Sequence, residues 1–132
     1  MVQLGGRPVA FVNTADAGRA RAFYRDTLGL PLVAEDGFGM FFAMGPGLLR
    51  LTPMPDFQPH PHPVAGWEVA DIRATAAALK TAGVSLTVYE GFGQDEMGIW
   101  TAPDGHAKVA WFADPDGNVL SLSETGHAGP GG

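Results

Sequence analysis

A chain of 132 residues, 45% of them hydrophobic, can bury one domain-sized core, so a single globular domain over residues 1–132 is expected. Its net charge is -6 and its eight Lys and Arg residues are scattered rather than gathered, which argues against nucleic acid or an anionic membrane as a partner. The absence of cysteine excludes disulfides, thiolate nucleophiles and thiolate metal sites, leaving any metal to His, carboxylate or water.

At the start, Met1 to Gly6 lacks the charged and apolar regions of a signal peptide. Nor does any run of about 18 apolar residues follow that could span a bilayer, so a cytoplasmic protein is expected. Pro8 to Asn13 is short, apolar and suited to a strand. It leads into Asp16, a good N-cap, and then Ala20, Phe23, Tyr24 and Leu28 recur at helical spacing, with Gly29 as the stop. Three strand-like runs follow: Pro31 to Ala34, Gly39 to Met44 and Leu48 to Thr52. Pro53 to Pro63 carries five prolines and can continue neither a helix nor a central strand, so it reads as an extended linker.

The order then repeats. Val64 to Val69 leads into Asp71, followed by Ile72, Thr75, Ala76 and Leu79 at helical spacing and Gly83 as the stop. Strand-like runs return at Ser85 to Tyr89, Ile99 to Ala102 with Ala107 to Phe112, and Val119 to Ser123. Gly45-Pro46-Gly47 and Asp114-Pro115-Asp116-Gly117 read as hairpin turns, because Pro presets φ, Asp bonds nearby backbone and Gly accepts positive φ. The expected division is a first βαβββ module over 7–53, a linker over 54–63 and a second module over 64–125. The Gly-rich, polar residues 126–132 are expected to form a disordered tail.

With Phe23-Tyr24-Arg25-Asp26-Thr27-Leu28-Gly29-Leu30 after the first strand and Trp111-Phe112-Ala113-Asp114-Pro115-Asp116-Gly117-Asn118 before the last, the chain resembles the vicinal oxygen chelate superfamily over roughly residues 7 to 125. That superfamily includes glyoxalases, bleomycin-resistance proteins and extradiol dioxygenases. The resemblance implies an α+β fold of two tandem βαβββ modules whose curved mixed sheets form a half-barrel around a cavity. It further implies that metal-using members carry a His or Gln on the first strand of each module and a Glu on the last. The corresponding positions here are Val9 and Val64, then Arg50 and Ser121, so no metal and no other cofactor is expected. His60 and His62 could share a strand face, but they alternate with prolines in the linker, and two imidazoles fall short of the three protein ligands of a typical catalytic site.

The cavity wall is expected to gather Phe11, Asn13, Arg50, Thr52, Glu68, Phe112 and Ser121, with Arg50 as the natural anchor for an anionic or carbonyl group. This assignment pairs Phe112 with Val119 and Ala110 with Ser121, and it sends Trp111 and Leu120 to the helix side. The segment Glu90 to Gly98 could form a mobile lid, and Trp100 beside it could stack on a planar ligand. Candidates for acid-base chemistry are Glu68, His106 and Asp95. Three functional classes stay open. The favoured one is a metal-independent small-molecule-binding protein that sequesters a drug or metabolite. The others are a lyase-, isomerase- or dioxygenase-like enzyme, metal-free or using unrecognised ligands, and a non-catalytic dimerisation module. A homodimer is expected in each case.

Overall fold

Both helices start on an aspartate. In the computed structural model, which describes residues 1–125, the Asp16 carboxylate accepts from the Arg19 N–H at 3.1 Å and opens α1 (Ala17–Arg21). Asp71 accepts from the Ala74 N–H at 3.1 Å and opens α2 (Ile72–Thr81). Each cap satisfies a donor that the first turn leaves without a partner, worth about 1 kcal/mol. Helix α1 passes into a π-helical segment, Ala22–Thr27, marked by the Leu28 N–H donating to the Phe23 carbonyl at 2.9 Å. Tyr24 of this segment is fully buried beside Phe42, with ring centroids 5.9 Å apart. Gly29 and Gly83 end the two helices at φ +73° and +90°, where an L side chain is strained.

The chain divides into two compact units, with the boundary after Pro59. The first carries β1 (Val9–Thr14), β2 (Leu32–Asp36), β3 (Gly39–Met44) and β4 (Gly47–Pro53) in the spatial order β1-β4-β3-β2. The second carries β5 (Pro63–Glu68), β6 (Trp100–Thr101), β7 (Lys108–Ala113) and β8 (Val119–Glu124) in the order β5-β8-β7-β6. In each sheet the outer first strand runs parallel to the last and the other pairs are antiparallel. A parallel pair needs a long crossover, and the helix lies on that path. The fold class is therefore α+β, built from two βαβββ modules.

Period-two alternation sets the faces. In the first unit Val12, Met40, Phe42, Leu49 and Leu51 are buried together with Ala20 and Tyr24 of the helical segment. In the second, Ala110, Phe112, Leu120 and Leu122 are buried with Ile72, Ala76 and Leu79 of α2. Complete burial of such a side chain contributes about 1.5–3 kcal/mol, so each unit has a core on the helix side of its sheet. No helix among the described residues is long and apolar enough to cross a membrane.

Two expectations about the second unit are corrected. Ser85 to Tyr89 is not a strand: the Gln94 side chain accepts from the Tyr89 N–H and donates to the Thr87 carbonyl, engaging groups that a ladder would use. One ladder-like bond is made there, from the Thr87 N–H to the Trp111 carbonyl at 2.7 Å. The β7–β8 hairpin is one residue longer than expected. Asp114 is buried and accepts from the N–H groups of Asp116 and Asn118 and from the Asn118 amide, so Asn118 belongs to the turn. The register becomes Ala113 with Val119, Phe112 with Leu120 and Trp111 with Ser121. A slip of one exchanges the faces: Phe112 lies in the helix-side core, 1% exposed, and Trp111 lies on the opposite face. The residues of the expected tail, 126–132, lie outside the described residues.

Candidate functional site

The face of the first sheet away from the helix carries one short row across three strands. Phe11 of β1, Arg50 of β4 and Phe41 of β3 are paired in register. One row along stand Asn13 and Thr52, and on the other side Val9, Leu48 and Ala43. Of the expected cavity residues, Phe11, Asn13, Arg50 and Thr52 therefore share one face. Phe11 is 65% exposed, and the Arg50 guanidinium sits over the Phe41 ring, 5.1 Å from its centroid. Gly39 makes room for this arrangement. A Cβ there would stand 2.8 Å from the Leu51 carbonyl oxygen and 3.6 Å from Arg50 Nε, so only glycine lets β3 approach and leaves the arginine stem its path.

The corresponding face of the second sheet holds Gly66, Ser121 and Trp111 in one row, then Glu68, Ser123, Val109 and Trp100 in the next. Trp111 is roofed by two rings from the segment after α2, Tyr89 at 5.5 Å and Phe92 at 5.9 Å, both edge-on. Glu68 is exposed and accepts from the Thr125 hydroxyl at 3.2 Å. Phe41, Trp111, Tyr89 and Phe92 were not among the expected site residues. The two-residue turn Gly45-Pro46, with Gly45 at φ +55°, fixes the Phe41–Arg50 pairing and was readable; the Asp114–Asn118 contact that turns Trp111 outward was not.

The segment expected to be a lid is tied down at its base. Gln94 bonds the backbone of Thr87, Tyr89 and Gly98, and Asp95 accepts from the N–H groups of Met97 and Ile99 and from Arg73. Burial pushes the Asp95 carboxyl up, but the N–H groups of Ile99 and Met97, and then the Arg73 guanidinium, outweigh it and hold the pKa below the ordinary carboxylate value. A carboxylate so engaged suits a brace better than a general base. His106 is exposed in the turn between β6 and β7, where its backbone N–H donates to the Asp104 carboxylate. His60 and His62 are exposed, their rings stacked 5.1 Å apart. Among the described residues no three His, Asp or Glu side chains form a group that could hold a metal. A groove of about 280 Å³ between α2 and Leu86, Val88 and Met97 shares no residue with either sheet face.

A family model described as the Glyoxalase/Bleomycin resistance protein/Dioxygenase superfamily matches residues 7–122. The chain belongs to this superfamily. Similar solved structures agree with its fold. A putative glyoxalase family protein from Bacillus anthracis is 18% identical, with TM-score 0.74, covering 95% of this chain and 98% of its own. A bleomycin resistance determinant encoded on the transposon Tn5 is 21% identical, with TM-score 0.71, over 91% and 98%. An antibiotic binding protein from Streptomyces sp. CB03234 is 22% identical, with TM-score 0.70, over 95% and 99%. No curated protein gives a significant sequence match.

The positions where the superfamily resemblance implies metal ligands hold Val9, Val64, Arg50 and Ser121. Two hydrocarbon side chains, a cation and a hydroxyl do not fit a divalent metal, which takes imidazole, carboxylate or thiolate donors.

Proposed function

We propose that the protein is a metal-independent small-molecule binder of the glyoxalase/bleomycin-resistance type, which holds a drug or metabolite against the open sheet faces without transforming it, and that it works as a homodimer. The observation that carries this reading is the row Phe11–Arg50–Phe41, an exposed aromatic surface around one charged group, where the resemblance implies a metal ligand. A mostly apolar surface with few polar groups is the usual composition of a small-molecule site. The second sheet supports the same reading through Trp100 and the aromatic group of Trp111, Tyr89 and Phe92 on its face away from α2, beside the hydroxyls of Ser121 and Ser123. Of the groups offered for acid-base chemistry, His106 sits in a turn and Asp95 is engaged in a brace, while Glu68 stands on the second sheet's face beside Ser123 and holds the Thr125 hydroxyl.

The test is a thermal-shift screen of antibiotics and metabolites in buffer containing EDTA. Hits are titrated by calorimetry and incubated for product analysis, and light scattering gives the oligomeric state. Saturable binding without product, weakened by Phe11→Ala or Trp111→Ala, is expected. Multiple turnover, or binding that vanishes in EDTA, would move the protein to the enzymes of the superfamily.

A further inference from the structure

Among the described residues Arg50 is a cation with no carboxylate in salt-bridge contact, set between aromatic side chains. Other arginines of the first unit are paired, Arg21 with Glu35 and Arg25 with Asp26. Among the described residues Arg50 has no acidic partner and donates none of its N–H groups; its guanidinium lies over the face of Phe41. Asp36, the last residue of β2 and on the same face by its pairing with Gly39, accepts on Oδ1 from the N–H groups of Phe38 and Gly39. Contact with a ring face steadies a guanidinium without using its donors. We propose that the open face of the first sheet receives a carboxylate carried on a flat apolar body, with the Arg50 guanidinium as its anchor. This deepens the binding reading above and rests on it.

The choice between an anion and a neutral carbonyl follows from the cost of covering Arg50. A flat ligand lying on Phe11 and beside the guanidinium stacked on Phe41 takes water away from that guanidinium. An unpaired charge loses much by that, and a neutral carbonyl returns only an ordinary hydrogen bond. A carboxylate returns the charge and can take two parallel N–H bonds from the planar fork. Thr52, one row along, adds a hydroxyl within the same patch. The net charge of the first unit does not oppose an anion. The first 59 residues hold five arginines and five acidic residues, so the chain's net -6 is carried entirely by the remainder. Among the strand residues of this face the charged ones are Arg50 and, at the β2 edge, Asp36, whose Oδ1 is already taken by two backbone N–H groups.

The test uses two probes of one shape, 2-naphthoate and 2-naphthamide, titrated by calorimetry into the full chain and into Arg50→Gln. The expected result is naphthoate binding tighter than naphthamide by about tenfold, a difference of about 1.4 kcal/mol, with the two equal in Arg50→Gln. Circular dichroism and melting establish that the variant is folded, and the comparison in the unaltered protein stands without it. Equal affinities in the unaltered protein would overturn the anion assignment and leave the binding reading intact. A preference for naphthoate that survives in Arg50→Gln would overturn the role of Arg50. No binding of either probe would remove both.

Discussion

Asp95 receives the N–H groups of Met97 and Ile99 on Oδ1 and the Arg73 guanidinium on Oδ2 at 2.9 Å, and the two oxygens do unequal work. The backbone bonds are part-buried, whereas the Arg73 side chain is about half exposed, so water screens the ion pair. Asp95→Asn keeps an acceptor for both N–H groups and is expected to lower the melting temperature slightly. Asp95→Ala leaves two part-buried donors without partners and is expected to cost about 1–2 kcal/mol. Because the folded pKa lies below the unfolded one, the contribution of the carboxylate is complete above the ordinary value near 3.9 and fades as pH falls through the folded value. Melting curves of the three proteins at pH 7 and pH 4, and on into more acid buffer, check both statements. At this scale the sequence is legible where a side chain acts on its own backbone neighbours, as Asp16 and Asp71 do at the helix starts. It is less legible where one side chain collects several groups. Asp114 reaches Asn118 and lengthens a turn by one residue, which carries Phe112 into the core and Trp111 out of it.

At the scale of elements, the parallel pair β5–β8 depends on a close contact. A Cβ at Gly66 would lie 2.2 Å from Ser121 Oγ and 3.1 Å from the Ser121 carbonyl oxygen. Gly66→Ala is expected to destabilise the second unit by about 1–3 kcal/mol, the usual cost of overpacking. Adding Ser121→Gly removes the nearer clash and is expected to restore a substantial part of that loss; denaturant melts of the single and double variants measure it. A double variant no better than the single would place the strain in the backbone rather than in the hydroxyl. Element boundaries follow from period-two patterning where turns are short: β3 occupies Gly39–Met44 as expected, and β4 extends one residue beyond expectation at each end. The pattern misleads at Ser85 to Tyr89, where β-suited residues are diverted by Gln94, nearby in sequence but outside the run. The same period places Phe11 and Asn13 with Arg50 and Thr52, since β1 and β4 pair without a bulge. In β7 the alternation was right and its phase was wrong, because the turn sets the phase.

For the whole molecule the sharpest prediction concerns metal, because two features of the chain pull in opposite directions. A net charge of -6 attracts divalent cations to the surface, loosely and at many places. The four positions at which the family resemblance implies ligands offer Val9, Val64, Arg50 and Ser121, and at about 5 Å the Arg50 charge alone opposes a divalent ion by several kcal/mol before water screens it. Surface attraction and a coordination site differ in stoichiometry and in their response to a chelator. A site that belongs to the fold raises its stability by mass action, and stripping the metal lowers the melting temperature. Loose surface cations give small shifts that grow with concentration and do not saturate. Plasma mass spectrometry of untagged protein is expected to find no stoichiometric metal. Melting is expected to be the same with and without EDTA, with only shallow, unsaturated changes in Mn²⁺, Fe²⁺, Ni²⁺ or Zn²⁺. One equivalent of metal together with a lower melting temperature in EDTA would mean that other residues supply the donors, with Glu68 and the exposed histidines the first to substitute, and the binding reading would give way to an enzyme.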